Sequence, residues 1–171
     1  MIKKIWNGVT TLLVAIVVLL AFLLVGMRVV GFEVFTVLSG SMEPAYHVGS
    51  LIYVKETDPR DLQPGDAITF MANETTVVTH RIAGVVPDEA DPNVLWFRTK
   101  GDANNSEDAA LVHYRNVIGK AVFSIPYLGY VSSYIQNPPG LYVALGCGAV
   151  LLVIAFLPAG KKKEQDPIET G

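Results

Sequence analysis

Two serines separated by one glycine are the first residues in this chain whose types and spacing could do chemistry. They lie in Ser39-Gly40-Ser41-Met42-Glu43-Pro44, directly after a strand-like apolar run. A serine beside a flexible glycine can present its hydroxyl and its backbone N–H from one tight turn, and nucleophilic attack with oxyanion stabilisation requires both. The same hexapeptide also fits an ordinary turn, so the interpretation depends on whether a base is available.

A histidine on a strand-like segment is a candidate for that base. In Thr76-Val77-Val78-Thr79-His80-Arg81-Ile82, the alternation of a strand places His80 on the same face as Val78 and Ile82, which makes it half-buried. That environment favours the neutral imidazole, the form that can accept a proton. A core histidine bonded to the backbone fits the same pattern. The other candidate bases are His47, His113, Lys55, Lys100 and Lys120.

A polar loop supplies candidate acids. The segment Thr99-Lys100-Gly101-Asp102-Ala103-Asn104-Asn105-Ser106-Glu107-Asp108 contains three carboxylates and follows an apolar strand-like run. One of them could accept the second ring N–H of a histidine and so fix its tautomer. A solvated acidic turn is the alternative. A calcium-binding EF-hand is disfavoured, because a loop starting at Asp102 would need glycine in place of Glu107 and glutamate in place of His113.

Two long apolar runs flank these motifs. Ile5 to Met27 contains no charged residue, and at about 1.5 Å per residue it extends roughly 35 Å, enough for a hydrocarbon core of about 30 Å. A removable signal peptide is the alternative, although the run is longer than the usual apolar region of such peptides. The second run, Leu141 to Leu157, precedes Lys161-Lys162-Lys163, which favours a membrane span over a buried core helix.

The excess of lysine outside both runs predicts that both termini are cytoplasmic. We therefore expect four parts: the N-terminus and first transmembrane helix (1–28), an extracytoplasmic catalytic domain (29–139), a second transmembrane helix (140–160) and a cytoplasmic basic tail (161–171). Short β-branched or aromatic runs within 29–139, separated by turn residues, predict a mainly antiparallel β domain. These runs are Phe32–Leu38, Leu51–Val54, Ala67–Met71, Thr76–Val86, Val94–Thr99 and Val117–Phe123.

Composition excludes several classes of protein. The chain has 171 residues, of which 51% are hydrophobic and 17% charged, and its mean hydropathy is +0.40. These values indicate membrane-length runs rather than a fully soluble or disordered chain. The net charge of −3 argues against a nucleic-acid partner, which needs a basic face. The single cysteine, Cys147, excludes an internal disulfide and a cysteine-based zinc site, and His80 lacks the paired histidine of a zinc-protease helix.

The three motifs together resemble the type I signal peptidases of the archaeal and endoplasmic-reticulum kind, which some Gram-positive bacteria also have. The resemblance covers nearly the whole of 29–139. It rests on the serine hexapeptide, on Pro64-Gly65-Asp66 leading to Thr79-His80-Arg81, and on Lys100-Gly101-Asp102 continuing to Asp108. It implies an antiparallel β catalytic domain of the signal-peptidase type, flanked by an N-terminal and a C-terminal transmembrane helix.

The resemblance also implies roles for particular residues. Ser41 corresponds to the nucleophile, His80 to the residue that replaces the lysine base of ordinary bacterial enzymes, and Asp108 to the carboxylate of the triad. Asp102 corresponds to a second important acid, and the hydroxyl of Ser39 would stabilise the oxyanion together with the Ser41 N–H.

This chain departs from the family pattern because Ala103 is inserted after Asp102. Which of the two acids, Asp102 or Asp108, faces the histidine therefore stays open.

The function implied is a membrane-bound serine endopeptidase that removes signal peptides from secreted or membrane precursors through an acyl-enzyme, without metal or cofactor. The expected partners are the signal peptides of preproteins and the lipid bilayer, with the secretion machinery as a further candidate. A serine/lysine protease is disfavoured, because His80 stands where its lysine would be and Pro44 breaks the Ser-x-x-Lys spacing. The remaining alternative is a non-enzymatic, membrane-anchored β domain that binds a protein partner.

Overall fold

An apolar helical segment begins the described part of the chain. The computed structural model describes residues 2–156, and the predicted end of the second span and the basic tail lie outside them. Helix α1 (Ile2–Ala21) continues through a π-helical turn (Phe22–Gly26) into a short α2 (Met27–Val29). The 26 residues from Lys4 to Val29 include an 18-residue window with a mean hydropathy of 2.9, none of which is buried inside the protein, so this segment is long and apolar enough to cross a membrane.

One seven-stranded sheet follows, with every neighbouring pair antiparallel. Its spatial order is β1-β2-β7-β3-β4-β5-β6. The mainly antiparallel β prediction is thus confirmed. The strands are β1 (Phe32–Thr36), β2 (Leu51–Lys55), β3 (Ala67–Met71), β4 (Val77–Pro87), β5 (Leu95–Lys100), β6 (Val112–His113) and β7 (Val117–Ile125).

Three apolar clusters hold the sheet together, and one of them contains a residue of the serine motif. The cluster of Met42, Ile52, Val54, Ala67 and Ala121 contains the residue next to Ser41. Met42 is only 3% exposed, and burying such a side chain contributes about 1.5–3 kcal/mol, so packing anchors the turn that carries the serines. A second cluster connects α2 with the sheet and with α3, and a third lies under β3, β4 and β5.

Two helices follow the sheet. Helix α3 (Leu128–Gln136) was not predicted, and it packs on the sheet through its buried residues Leu128, Gly129 and Ser132. Helix α4 (Gly140–Phe156) coincides with the second apolar run. Its 17 described residues extend roughly 26 Å at about 1.5 Å each, which is less than a hydrocarbon core of about 30 Å. The described residues therefore contain one helix of membrane-crossing length, and the second span stays a prediction.

Candidate active site

The serine hexapeptide forms a tight turn between β1 and β2. Backbone bonds from Glu43 N–H to the Gly40 carbonyl (3.0 Å) and from Tyr46 N–H to the Met42 carbonyl (2.9 Å) close the turn. Because Met42 is buried in the core, its neighbour Ser41 is held at the surface of the sheet with its hydroxyl beside β4. The Ser39 hydroxyl lies 3.4 Å from that of Ser41.

His80 lies on β4, opposite Ile68 of β3, and its 9% exposure makes it buried rather than half-buried. Its Nε2 is 3.1 Å from Ser41 Oγ, and its Nδ1 is 2.6 Å from Asp108 Oδ2. An ionised carboxylate only accepts hydrogen bonds, so Nδ1 must donate to Asp108. The lone pair of the neutral ring is then on Nε2, where it can accept the Ser41 proton.

The two candidate acids have different partners. Both oxygens of Asp102 are bound by Arg81, whose Nε and Nη2 lie 2.8 Å and 2.6 Å away, while Arg81 Nη1 donates to the Gly65 carbonyl at 2.7 Å. The hydrogen bond to Asp102 holds the pKa of Arg81 above its ordinary value. Asp108 is therefore the acid that contacts His80, and Asp102 is engaged by the next residue of β4.

Backbone contacts join the acid loop to the serine turn. The Ala103 N–H donates to the Ser41 carbonyl at 2.9 Å, and the Asn104 N–H donates to the Gly101 carbonyl at 3.0 Å. Gly101 lies so close that a Cβ there would be 2.6 Å from the Ser41 carbonyl oxygen. The inserted Ala103 thus takes part in holding Ser41.

The comparisons with known proteins bear on this arrangement. The family model "Signal peptidase, peptidase S26" matches residues 9–93. The signal peptidase complex catalytic subunit SEC11 of Fusarium vanettenii is 30% identical over 128 residues, which are 69% of this chain and 73% of that protein. The chain belongs to the signal peptidase family, peptidase S26.

Two further relatives belong to the same family. Signal peptidase I W of Bacillus subtilis (strain 168) is 41% identical over 123 residues, 67% of this chain and 63% of that protein. The signal peptidase complex catalytic subunit SEC11C of Homo sapiens is 32% identical over 117 residues, 64% of this chain and 60% of that protein. The matched region thus spans somewhat less than two thirds of these two relatives.

In this member of the signal peptidase family, a cleft of about 510 Å³ lies beside the serine and the histidine. One wall is the end of β1 and the residues after it, and the other is the beginning of β4. The lining combines apolar side chains with polar ones, which include both serines and the histidine. The lining residues are Phe35–Ser39, Ser41, Met42, Tyr46, Ile52, Thr75, Val77–His80 and Asn104.

Several residues near the site were not singled out from the sequence. Thr99 donates its hydroxyl to Asp108 Oδ2 at 2.7 Å, and Arg81 holds Asp102. Burial raises the pKa of Tyr46, which lines the cleft. Both residues lie within the motif segments, Arg81 directly after His80 and Thr99 directly before Lys100, but no role was assigned to either.

The two other histidines lie elsewhere. His47 pairs with Glu43 on the surface, and the ring of His113 packs edge-on against Trp96. Lys120, one of the candidate bases, has its Nζ 2.6 Å from Asp66 Oδ1.

Proposed function

We propose that this chain is a membrane-bound serine endopeptidase that removes signal peptides from secreted or membrane precursor proteins, with Ser41, His80 and Asp108 as its catalytic triad. The observation that carries the proposal is the continuous hydrogen-bonded series from Ser41 Oγ through His80 to Asp108, with distances of 3.1 Å and 2.6 Å. Membership of the signal peptidase family supports the substrate class.

In the proposed reaction, Ser41 Oγ attacks the scissile carbonyl carbon while His80 Nε2 takes the hydroxyl proton. The carbonyl oxygen becomes an oxyanion, which the Ser41 N–H and the Ser39 hydroxyl stabilise. His80 then gives the proton to the leaving amine, and an acyl-enzyme on Ser41 forms. Water, deprotonated by the same imidazole, releases the acyl group and restores the serine. Asp108 orients the ring and stabilises its charged form in both halves of the reaction.

A histidine base, rather than the lysine of other signal peptidases, is supported by the contacts of Lys120 and Lys55, two of the three lysines in 29–139. Lys120 is paired with Asp66. Lys55 is exposed and pairs in the sheet with Phe32 and Lys120. His80, in contrast, has one nitrogen within hydrogen-bonding distance of the serine and the other on a carboxylate. This supports the Ser-His-Asp kind of the family as the subtype of this chain.

An extended peptide is the substrate shape that suits the cleft. Strand β5 pairs with β4 only from Arg81 onward, so Val77–His80 have a strand partner on one side alone. Strand β1 is an edge strand. Both open edges line the cleft, and an extended chain can bind by adding itself to such edges. Family resemblance implies small residues before the cut, which the modest volume of the cleft suits.

The proposed membrane arrangement has two spans. The helical segment Lys4–Val29 crosses the membrane, and a second span at 140–160 begins with α4. Both termini are then cytoplasmic, and 29–139 is extracytoplasmic. Tyr127, Tyr130 and Tyr134 are 75%, 56% and 54% exposed immediately before α4, which suits aromatic side chains at the headgroup level. Ser41 then works close to the bilayer that holds the signal peptide.

The direct test is cleavage of a model preprotein by the full chain reconstituted in vesicles. We expect cleavage at the end of the signal segment by the wild type, and loss of nearly all activity in Ser41→Ala and in His80→Ala. His47→Ala is the matched control, because that histidine lies on the surface and should keep wild-type activity. Substantial turnover by Ser41→Ala contradicts the triad. A chain that neither cleaves nor reacts with a serine-directed acylating probe favours a non-enzymatic binding domain.

A further inference from the structure

Thr99, the fifth residue of β5, is a completely buried hydroxyl that the proposed mechanism does not use. We propose that Thr99 is a positioning residue, whose hydroxyl holds the Asp108 carboxylate in the orientation that receives the Nδ1 proton of His80. The inference rests on the proposed function, because it concerns the acid of the proposed triad.

One oxygen of the Asp108 carboxylate accepts hydrogen bonds from two donors. Asp108 Oδ2 lies 2.7 Å from the Thr99 hydroxyl and 2.6 Å from His80 Nδ1. Because the carboxylate is an acceptor only, the threonine hydroxyl must be a donor here. The backbone adds a second connection, since the Asp108 N–H donates to the Thr99 carbonyl at 2.8 Å. Backbone and side chain of Asp108 are thus both attached to one residue of the sheet.

Packing alone does not fix the carboxylate. The Asp108 side chain is 26% exposed, and a pocket of about 230 Å³ is lined by His80, Thr99 and Asp108 together with mostly apolar residues. Water in such a pocket can compete for the carboxylate oxygens. A carboxylate that turned toward the pocket would leave Nδ1 without its acceptor, and the ring could then present an N–H rather than a lone pair to Ser41. The Thr99 hydroxyl opposes that rotation.

The chemistry of Thr99 fits this role. Its exposure is 0%, so water does not satisfy its hydroxyl, and Asp108 is the acceptor that does. The rival interpretation is that the bond merely stabilises the loop from 100 to 108. That interpretation predicts a loss of stability with a normal rate per folded molecule, whereas positioning predicts a loss in kcat.

The test compares Thr99→Val, which keeps the shape and loses the hydroxyl, with Thr99→Ser, which keeps the hydroxyl. Both variants are assayed as full chains in vesicles with a model preprotein. The cleavage rate is expressed per active site, and the active sites are counted with the serine-directed acylating probe. We expect Thr99→Val to lower kcat about 10- to 100-fold with KM within about twofold, the usual scale for a hydrogen bond to a charged group. Thr99→Ser should restore kcat to within about threefold of wild type.

Thr69→Val is the matched control. Thr69 is also a threonine with 0% exposure, and its hydroxyl lies 2.8 Å from that of Thr79, away from the carboxylate. We expect a similar fall in melting temperature and a kcat within about threefold of wild type. Should Thr99→Val fail to fold, Thr99→Ala removes the same hydroxyl without placing a methyl group near the carboxylate.

The background of Asp108→Asn gives a second readout. If Thr99 acts through the carboxylate, adding Thr99→Val to Asp108→Asn should change kcat by less than about twofold. A wild-type kcat for Thr99→Val, a Thr99→Ser as slow as Thr99→Val, or the full 10- to 100-fold loss in the asparagine background would each overturn the proposal. If the wild type cleaves the preprotein, any of these three results overturns the role of Thr99 and leaves the proposed function intact. A wild type that does not cleave overturns both the proposed function and the role of Thr99.

Discussion

Gly101→Ala tests whether contact between the acid loop and the serine turn sets the position of the nucleophile. A Cβ at this position would lie 2.6 Å from the Ser41 carbonyl oxygen and 2.8 Å from the Asn104 side-chain nitrogen. Ordinary van der Waals contact begins at 3.4 Å, so the Ser41 carbonyl or the loop must move by about 0.8 Å. A misplacement of about 1 Å in a reacting group can cost about 100-fold in rate.

We therefore expect Gly101→Ala to lower kcat about 10- to 100-fold, and to lower the free energy of unfolding by about 1–3 kcal/mol through overpacking. The assay is preprotein cleavage in vesicles under single-turnover conditions, with thermal unfolding measured on the same preparation. Gly40→Ala is the informative comparison, because the nearest atom to its added Cβ is Glu43 Cγ at 3.5 Å. Although Gly40 lies in the serine motif itself, its alanine variant should stay within about threefold of wild type.

Two results would refute this reasoning. Wild-type rates for Gly101→Ala would show that the loop can relax without moving Ser41. Equal damage from Gly40→Ala would show that the rate depends on the flexibility of the serine turn rather than on the contact between turn and loop.

Three further predictions concern the surroundings of the site. Asp102→Asn should lower kcat about 3- to 10-fold, because loss of the charge weakens the paired hydrogen bonds with Arg81. Asp108→Asn should lower kcat roughly 10³- to 10⁴-fold. Steady-state cleavage of a model preprotein compares the two variants. The net pKa of Asp66 is lowered from its ordinary value of 3.8. Burial alone would raise this pKa, but hydrogen bonds, above all from Lys120, have the larger effect. The Asp66 carboxylate therefore stabilises the fold above about pH 4, and this stabilisation is lost as pH falls through the lowered pKa. The melting temperatures of wild type and Asp66→Asn should differ at pH 6 and converge in acid. The double variant Tyr127→Asn/Tyr134→Ser should slow cleavage of a membrane-anchored preprotein several-fold and leave cleavage of a short soluble peptide unchanged, if these exposed rings contact lipid.

The sequence predicted most of the sheet because its strands obey simple patterns. Apolar and β-branched runs between turn residues located six strands to within two residues at most of their ends. Strand β6 was missed because its two residues are too few to show alternation. Helix α3 was missed because Tyr, Val, Ile and Ser are weak helix formers, and its N-cap residue, Tyr127, makes no side-chain capping hydrogen bond. Packing on the sheet, which no local pattern records, stabilises this helix.

The partners of Asp102 and Asp108 show a similar limit of prediction from sequence. Adjacent residues of a strand point to opposite faces, so His80 and Arg81 present one basic side chain on each face of β4. The acid loop crosses the place where β4 and β5 begin to pair, and it supplies one carboxylate to each of these side chains. The resemblance gave Asp108 the role of the triad carboxylate, but which aspartate faces His80 stayed open in the sequence, because nothing in their spacing records which face each one reaches.

The contacts that hold the proposed triad together are mostly of a kind that sequence cannot reveal. Ser41 is connected to the acid loop by a bond between the Ala103 N–H and its own carbonyl, and Asp108 is connected to β5 by a bond to the Thr99 carbonyl. Every residue except proline carries the same backbone donor and acceptor, so no residue type marks these bonds. They nevertheless fix the backbone of Ser41 and of Asp108, two members of the proposed triad, before any substrate arrives, and preorganisation of this kind is where an enzyme gains most of its rate. The side chains of the motif are therefore necessary for the proposed reaction, but the loop geometry that the structure adds is what brings them within hydrogen-bonding distance.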